Sequence, residues 1–296
     1  MKWKLKDGAE NIEAITKRGI ILNGVLFNQD VNHADTIVIA ITGIHGNFYS
    51  NPFYFNFAAT LNAHNITFVY AQVCDAFGEI QTQNVLTNQN IIIGSWNERF
   101  EDADDDVNSY IDWAQRAGYH HIILAGHSLG ANKVIHYLSN HHDNRIDKFI
   151  LLSPANLRHL TAQVNIYEKQ VIKRIIHNGN GQTKLPFEVL GWIPCNADTA
   201  SDWVFTDTLN NVHVEKDTDF SQVANITHTG AMLIGSLDRF TYGDPRGFLK
   251  NINDHCQAPE NNELIFIENT GHTYQQKEQE TANAILHFVQ TCMRQF

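Results

Sequence analysis

The chain has 296 residues, 43% of them hydrophobic and 18% charged, an ordinary folded-protein composition with enough apolar material for one large or two small domains. Its formal net charge of −11 disfavours nucleic acid and anionic membrane as partners, since both demand a basic face. A small neutral or cationic molecule is easier to accommodate.

In chain order, residues 1–8 are basic but carry no apolar segment of the signal-peptide kind, and no later run is long enough to cross a bilayer, so a cytoplasmic protein is expected. Residues 12–27 alternate around Arg18-Gly19 and Asn23-Gly24, which predicts an antiparallel hairpin at a sheet edge. The apolar run 36–41 predicts a buried strand, 52–63 the helix after it, and 66–71 the next strand. A polar loop region extends to about Phe100, followed by a helix through Asp112 and Trp113 to Ala117, where Gly118 stops it. Another strand is expected at 121–125, then a helix with Val134, Ile135 and Leu138 on one face, then a strand at 146–152 ending in Ser153-Pro154.

From 155 to about 225 this alternation is lost. Val164, Tyr167, Val171, Ile175 and Ile176 suggest one amphipathic helix ended by Asn178-Gly179-Asn180-Gly181, and the remainder is irregular and aromatic, with Phe187, Trp192, Trp203 and Phe205. Strands are expected again at 226–234 and 263–267, with a last helix from about 275 to 293. The pattern predicts an α/β fold: a doubly wound, mainly parallel sheet built from 1–153 and 226–296, with 154–225 inserted as a cap or lid.

Gly126-His127-Ser128-Leu129-Gly130 stands where the strand at 121–125 gives way to a helical pattern. A strand that reverses into a helix within so few residues strains its central residue, and small neighbours two positions either side let the flanking chains approach. Ser128 is therefore the expected nucleophile, and the Leu129 amide, in the first turn of the helix, points where an oxyanion would form. A serine hydroxyl needs a base held by a carboxylate, and the chain order for this architecture is serine, acid, histidine. His272 follows the apolar run 264–267 through Glu268-Asn269-Thr270-Gly271 and precedes the last helix. Asp238 follows 231–234 in Gly235-Ser236-Leu237-Asp238. Asp244, in Gly243-Asp244-Pro245, is the rival acid, but its setting reads as a turn former.

Ile44-His45-Gly46-Asn47 follows the strand at 36–41, where a second oxyanion amide belongs. The expectation falls on the Asn47 amide, with Ile44 as the alternative if the strand ends earlier. His45 is expected to brace this loop, and His127 to pack behind the serine.

Together the Gly-His-Ser-Leu-Gly elbow, the His-Gly loop, the Gly-Ser-Leu-Asp turn and the Gly-His turn, in that functional order, resemble the α/β-hydrolase superfamily from roughly residue 37 to the C-terminus. The resemblance implies the α/β-hydrolase fold and hydrolysis of small-molecule carboxylic esters through an acyl-serine intermediate, without metal or organic cofactor. It looks closest to intracellular esterases, including those acting on hydroxycinnamate or siderophore esters, among which the lid differs. An acyltransferase, a thioesterase or a small-peptide hydrolase would use the same triad. A non-catalytic ligand-binding protein on this scaffold is the alternative from a different class.

Trp192 and Trp203, with Phe205, are expected to line an acyl or aromatic pocket, the rival being that they form the private core of the cap. The acidic run 101–106 is expected to face water at a helix N-terminus, because the glycine and spaced oxygen ligands of a calcium loop are missing. His120-His121 and His141-His142 are adjacent pairs whose members point apart, so no metal site is expected. Cys74, Cys195, Cys256 and Cys292 are far apart with no Cys-x-x-Cys pair, which fits free thiols in a reducing compartment.

Overall fold

The computed structural model describes residues 8–28 and 34–294, so the basic stretch 1–7 lies outside the described residues. β1 (Ala9–Ile15) and β2 (Ile21–Phe27) form the antiparallel hairpin at the sheet edge that the sequence predicts. β3 (Thr36–Ile41) is buried along its whole length, as an apolar strand covered on both faces must be. α1 (Phe53–Asn62) and β4 (Thr67–Ala71) follow.

The stretch read as a polar loop holds a separate hairpin, β5 (Ile80–Asn84) and β6 (Gln89–Ile93). Its inward residues Ile80, Thr82, Ile91 and Ile93 are diluted by glutamine and asparagine, which hides the period of two. α2 (Ala103–Arg116) opens with Asp104, Asp105 and Asp106 in its first turn, where the helix dipole favours them. They do not simply face water, as the sequence suggests. Arg18, from the turn between β1 and β2, binds Asp102 at 2.6 Å, Asp105 at 2.9 Å and the buried Asp106.

β7 (His121–His127), α3 (Leu129–Asn140) and β8 (Ile146–Leu152) come next. The chain then makes an excursion with four helices, where periodicity reveals one: α4 (Leu157–Thr161), α5 (Ile166–His177), α6 (Ala197–Phe205) and α7 (Ser221–Asn225). Only α5 pairs a recognisable apolar stripe with a capping box, formed by Asn165 and Glu168. Ile226 caps the end of α7, so the strand expected from 226 starts later, as β9 (Gly230–Gly235). α8 (Pro245–Asp254), β10 (Glu263–Ile267) and α9 (Glu278–Met293) complete the described chain.

The eight-stranded sheet runs β1-β2-β4-β3-β7-β8-β9-β10, and β2 alone runs against its neighbours. Phe53, Phe57, Ile285 and Phe288 of α1 and α9 cover one face, and Val107, Tyr110, Val134, Leu138 and Phe248 of α2, α3 and α8 cover the other. This is the doubly wound α/β-hydrolase architecture. The parallel strands β3, β7, β9 and β10 all end on one edge, so the loops that leave them converge there.

Candidate active site

Ser128 lies between β7 and α3 with φ 54° and ψ −126°, the strained conformation of a strand-to-helix elbow. A Cβ on Gly126 would strike the Gly130 carbonyl, and one on Gly130 would strike Ile41 and Thr42 carbonyls, so both positions require glycine. The turn that follows β10 brings His272 to this serine. His272 Nε2 accepts the Ser128 hydroxyl at 2.9 Å, and Nδ1–H donates to Asp238 Oδ2 at 2.8 Å.

Asp238 is buried beyond β9, and its other oxygen accepts the Phe240 amide at 3.0 Å. Burial alone would push this carboxyl up, but the hydrogen bond and charge of His272, with the Phe240 amide, hold it below the usual carboxylate range. The turns carrying acid and histidine brace each other: the Leu237 amide donates to the Thr270 carbonyl at 2.8 Å, and the Asn269 amide to the Ser236 hydroxyl at 2.9 Å. Asp244 is elsewhere, capping α8 through the Gly247 amide at 2.8 Å. The structure thus brings Ser128, His272 and Asp238 into one line and leaves the rival acid outside it.

The loop after β3 corrects one expectation. The Asn47 amide donates to Ser50 Oγ at 3.0 Å within its own turn, so it is not free to meet an oxyanion. Three residues nearer the strand the geometry suits better. A Cβ at Gly43 would lie 2.9 Å from Ser128 Cβ and 3.4 Å from the Leu129 amide, and the next amide, that of Ile44, has no hydrogen-bond partner among the described residues. Leu129, as the first residue of α3, likewise precedes any intrahelical partner. His45 braces the loop, with its amide on the Asp75 carbonyl at 2.9 Å and Nε2 against Ser95 Oγ at 2.7 Å.

The two tryptophans separate. Trp192 is 43% exposed, carried by a tight turn in which Leu190 and Gly191 have positive φ, and its ring meets His45 edge-on at 5.4 Å. Trp203, at 3% exposure, packs against Phe100 at 5.2 Å in a core shared with Leu157, Ile172, Ile193 and Leu129. Trp203 also contributes to the wall of a cavity with Leu157, Arg158, Phe205 and His213, whose lining includes none of Ser128, Asp238 and His272, so most of its ring serves to hold the excursion together.

Sequence reasoning passed over Phe240, whose ring stands edge-on to His272 at 4.6 Å and an interplanar angle of 89°. It also missed Tyr274, whose hydroxyl donates to the Leu233 carbonyl at 3.2 Å and accepts from Ser153 Oγ at 3.0 Å, tying down the chain just after His272. An aromatic two residues from each of Asp238 and His272 was the available signal. Among the described residues no cluster of histidine, cysteine, aspartate or glutamate could hold a metal ion, and no helix is long and apolar enough to cross a membrane.

Sheet order, the elbow and the converging loops define an α/β hydrolase. The chain belongs to the family described as serine aminopeptidase, S33, which matches residues 37–239. Among solved structures it is similar to Est1E from Butyrivibrio proteoclasticus, at 15% identity over 96% of this chain and 99% of that one, with a TM-score of 0.62. It is also similar to the siderophore hydrolase EstB from Aspergillus fumigatus, at 14% identity, 98% and 99% coverage and a TM-score of 0.68. The carboxylesterase CesB from Bacillus subtilis shares 13% identity over 97% and 93% of the two chains, with a TM-score of 0.54. A sequence search of curated proteins finds no match.

Proposed function

We propose that the chain is a serine hydrolase cleaving carboxylic esters of small molecules, with Ser128 as nucleophile, His272 as base and acid, and Asp238 as the carboxylate that orients the imidazole. The observation that carries this reading is the linear contact of Ser128, His272 and Asp238 at 2.9 and 2.8 Å. Ser128 Oγ attacks the acyl carbon while its proton passes to His272 Nε2, and Asp238 holds Nδ1–H and balances the imidazolium. The Leu129 and Ile44 amides receive the negative oxygen. His272 then returns the proton to the departing alcohol as the acyl carbon–oxygen bond breaks, and a water activated by His272 releases the acid from Ser128. The reading calls for no cofactor.

In the same reading residues 154–225 act as the cap, and Trp192, set beside the loop that carries Ile44, forms part of the substrate wall. The ester class is supported by the neighbours called esterases and by the ferulic acid bound to Est1E. Four unpaired, buried cysteines accord with the reducing cytoplasm.

The test is fluorophosphonate labelling with peptide mapping, followed by a panel of aryl and alkyl esters beside aminoacyl anilides. Label on Ser128, lost in Ser128→Ala, with turnover of esters is expected. Label on another serine, or none on folded protein, rejects the reading, and cleavage of aminoacyl anilides alone replaces the ester with a peptide substrate.

A further inference from the structure

Lys133 lies on α3, five residues beyond Ser128, and its side chain is fully buried. A buried ammonium is tolerated only where carboxylates compensate it. Its Nζ is 3.0 Å from Asp75 Oδ2 and 2.5 Å from Glu98 Oε1. Neither partner is local: Asp75 sits in the short turn Cys74–Ala76 after β4, and Glu98 in the link between β6 and α2.

Both partners continue into the loop after β3. The Asp75 carbonyl accepts the His45 amide at 2.9 Å, and the Ala76 carbonyl accepts the Asn47 side-chain amide at 2.9 Å. The segment that carries Glu98 also carries Ser95, whose hydroxyl meets His45 Nε2 at 2.7 Å. The loop immediately after Ile44 is therefore held by two segments, and one ammonium on the serine's own helix holds both.

We propose that Lys133 is a positioning residue for the hydrolytic reaction: through Asp75 and Glu98 it fixes the spacing between the helix that presents Ser128 and the loop that presents the Ile44 amide. This rests on the reading of Ser128 as the nucleophile. An oxyanion donor displaced by a fraction of an ångström binds the ground state almost as before and the transition state much less well.

The charge balance makes the device sensitive to alkali. Burial, and then the Asp75 charge, push the Glu98 carboxyl up to about 8, and burial raises Asp75 as well. Below about 8 the Glu98 carboxyl is thus drawn toward its protonated form, which eases the excess of two carboxyls over one ammonium. Asp106 and Cys74 face the cluster from α2 and the turn after β4, His45 from the loop, and Arg18 lies beyond Asp106. None of these forms an ion pair with Glu98 among the described residues. Loss of the Glu98 proton leaves two buried carboxylates to one ammonium.

Wild type, Lys133→Met and Glu98→Gln are compared as full chains in aryl-ester hydrolysis and in fluorophosphonate labelling. Lys133→Met should lose roughly ten- to a hundredfold in kcat with KM within about twofold. Wild-type activity should fall as pH rises through about 8, and Glu98→Gln, neutral at every pH, should hold its activity further into alkali. Where Lys133→Met does not fold, the alkaline limb of Glu98→Gln decides. Unchanged kcat in folded Lys133→Met, or coincident alkaline limbs in wild type and Glu98→Gln, overturns the positioning role alone. A wild type that is not labelled at Ser128 overturns the hydrolase reading, and the proposal with it.

Discussion

His127 Nε2 donates to the backbone carbonyl of His272 at 2.8 Å, so the residue before the proposed nucleophile holds the turn that carries the proposed base. A carbonyl only accepts, which puts the hydrogen on Nε2 and leaves Nδ1 bare and buried. Burial, with repulsion from His272, pulls this imidazole down to about 3. The ring is a neutral strut, and its neutrality has a measurable consequence.

A histidine that binds its proton near 6.5 when unfolded and at about 3 when folded contributes stability that is complete above about 6.5 and is lost as pH falls toward 3. Over that window the unfolded chain holds the extra proton, at about 1.4 kcal/mol per pH unit. Urea unfolding of wild type and His127→Gln between pH 7 and 5 should show the variant losing less stability on acidification by that slope. Parallel losses in the two proteins would mean that the folded ring takes up its proton over the same pH range as the unfolded chain.

Asp238→Asn should leave the fold intact and reduce turnover by about 10⁴, because the imidazole loses both its fixed tautomer and its counter-charge. Asp244→Ala removes the cap of α8 instead. It should lower stability by about 1 kcal/mol with turnover nearly unchanged. Steady-state kinetics with thermal melts separate the two, and a reversed pattern would move the acid to Asp244.

The tryptophans should respond in opposite ways. Trp203→Ala empties a core position and should cost about 3–5 kcal/mol of stability while scaling activity toward all esters alike. Trp192→Ala, at the exposed turn over His45, should barely shift the melt yet alter relative kcat/KM across acyl groups by about 1–3 kcal/mol. An unchanged ranking of esters in Trp192→Ala would remove it from the substrate wall.

Arg18→Ala withdraws the cation from Asp106, which is buried and also receives the Cys74 amide at 3.0 Å. Stranding a buried carboxylate costs about 3 kcal/mol, to be read as a lower urea midpoint at constant slope. A loss as small as that of an ordinary surface pair, about 0.5 kcal/mol, would show that water reaches Asp106 once the arginine is gone.

Much of this arrangement was legible in the sequence because a strand buried on both faces is written as an apolar run: 36–41 coincides with β3, and the apolar stretches 149–152 and 264–267 located β8 and the half-buried edge strand β10. Strand ends in turn located Ser128, Asp238 and His272. Which amide of the loop after β3 remains unpaired depends on a hydroxyl three residues on, and Ser50 decides it against Asn47. Lys133 is illegible for a different reason. Its partners at 75 and 98 lie on other elements, and a lysine on a helix ordinarily reads as solvated. The helices between β8 and β9 escaped because three of them are too short or too irregular to repeat an apolar stripe.

The excursion between β8 and β9 leaves from and returns to strands that lie side by side, with Leu152 opposite Leu233 and the Ser153 amide on the Leu233 carbonyl at 2.8 Å. The two strands run parallel and Gly230 lies opposite Phe149, so the excursion leaves at the far end of one strand and returns at the near end of the next, its ends fixed roughly 10 Å apart along the strands and about 5 Å across them. Closing a longer or shorter span across that seam changes the free energy only slowly, by about 0.6 kcal/mol for each doubling of length. The hydrogen-bond ladder beneath does not register the change, but Val212, Phe220 and Val223 pack in the sheet core and the Asn132 side chain of α3 donates to the Leu209 carbonyl at 2.9 Å, so an exchange leaves Ser128 in place only if it spares those contacts. Innovation in such a molecule proceeds by grafting between fixed joints, and a chimaera that replaces the span before Leu209 and keeps the return to β9 is the natural unit of redesign.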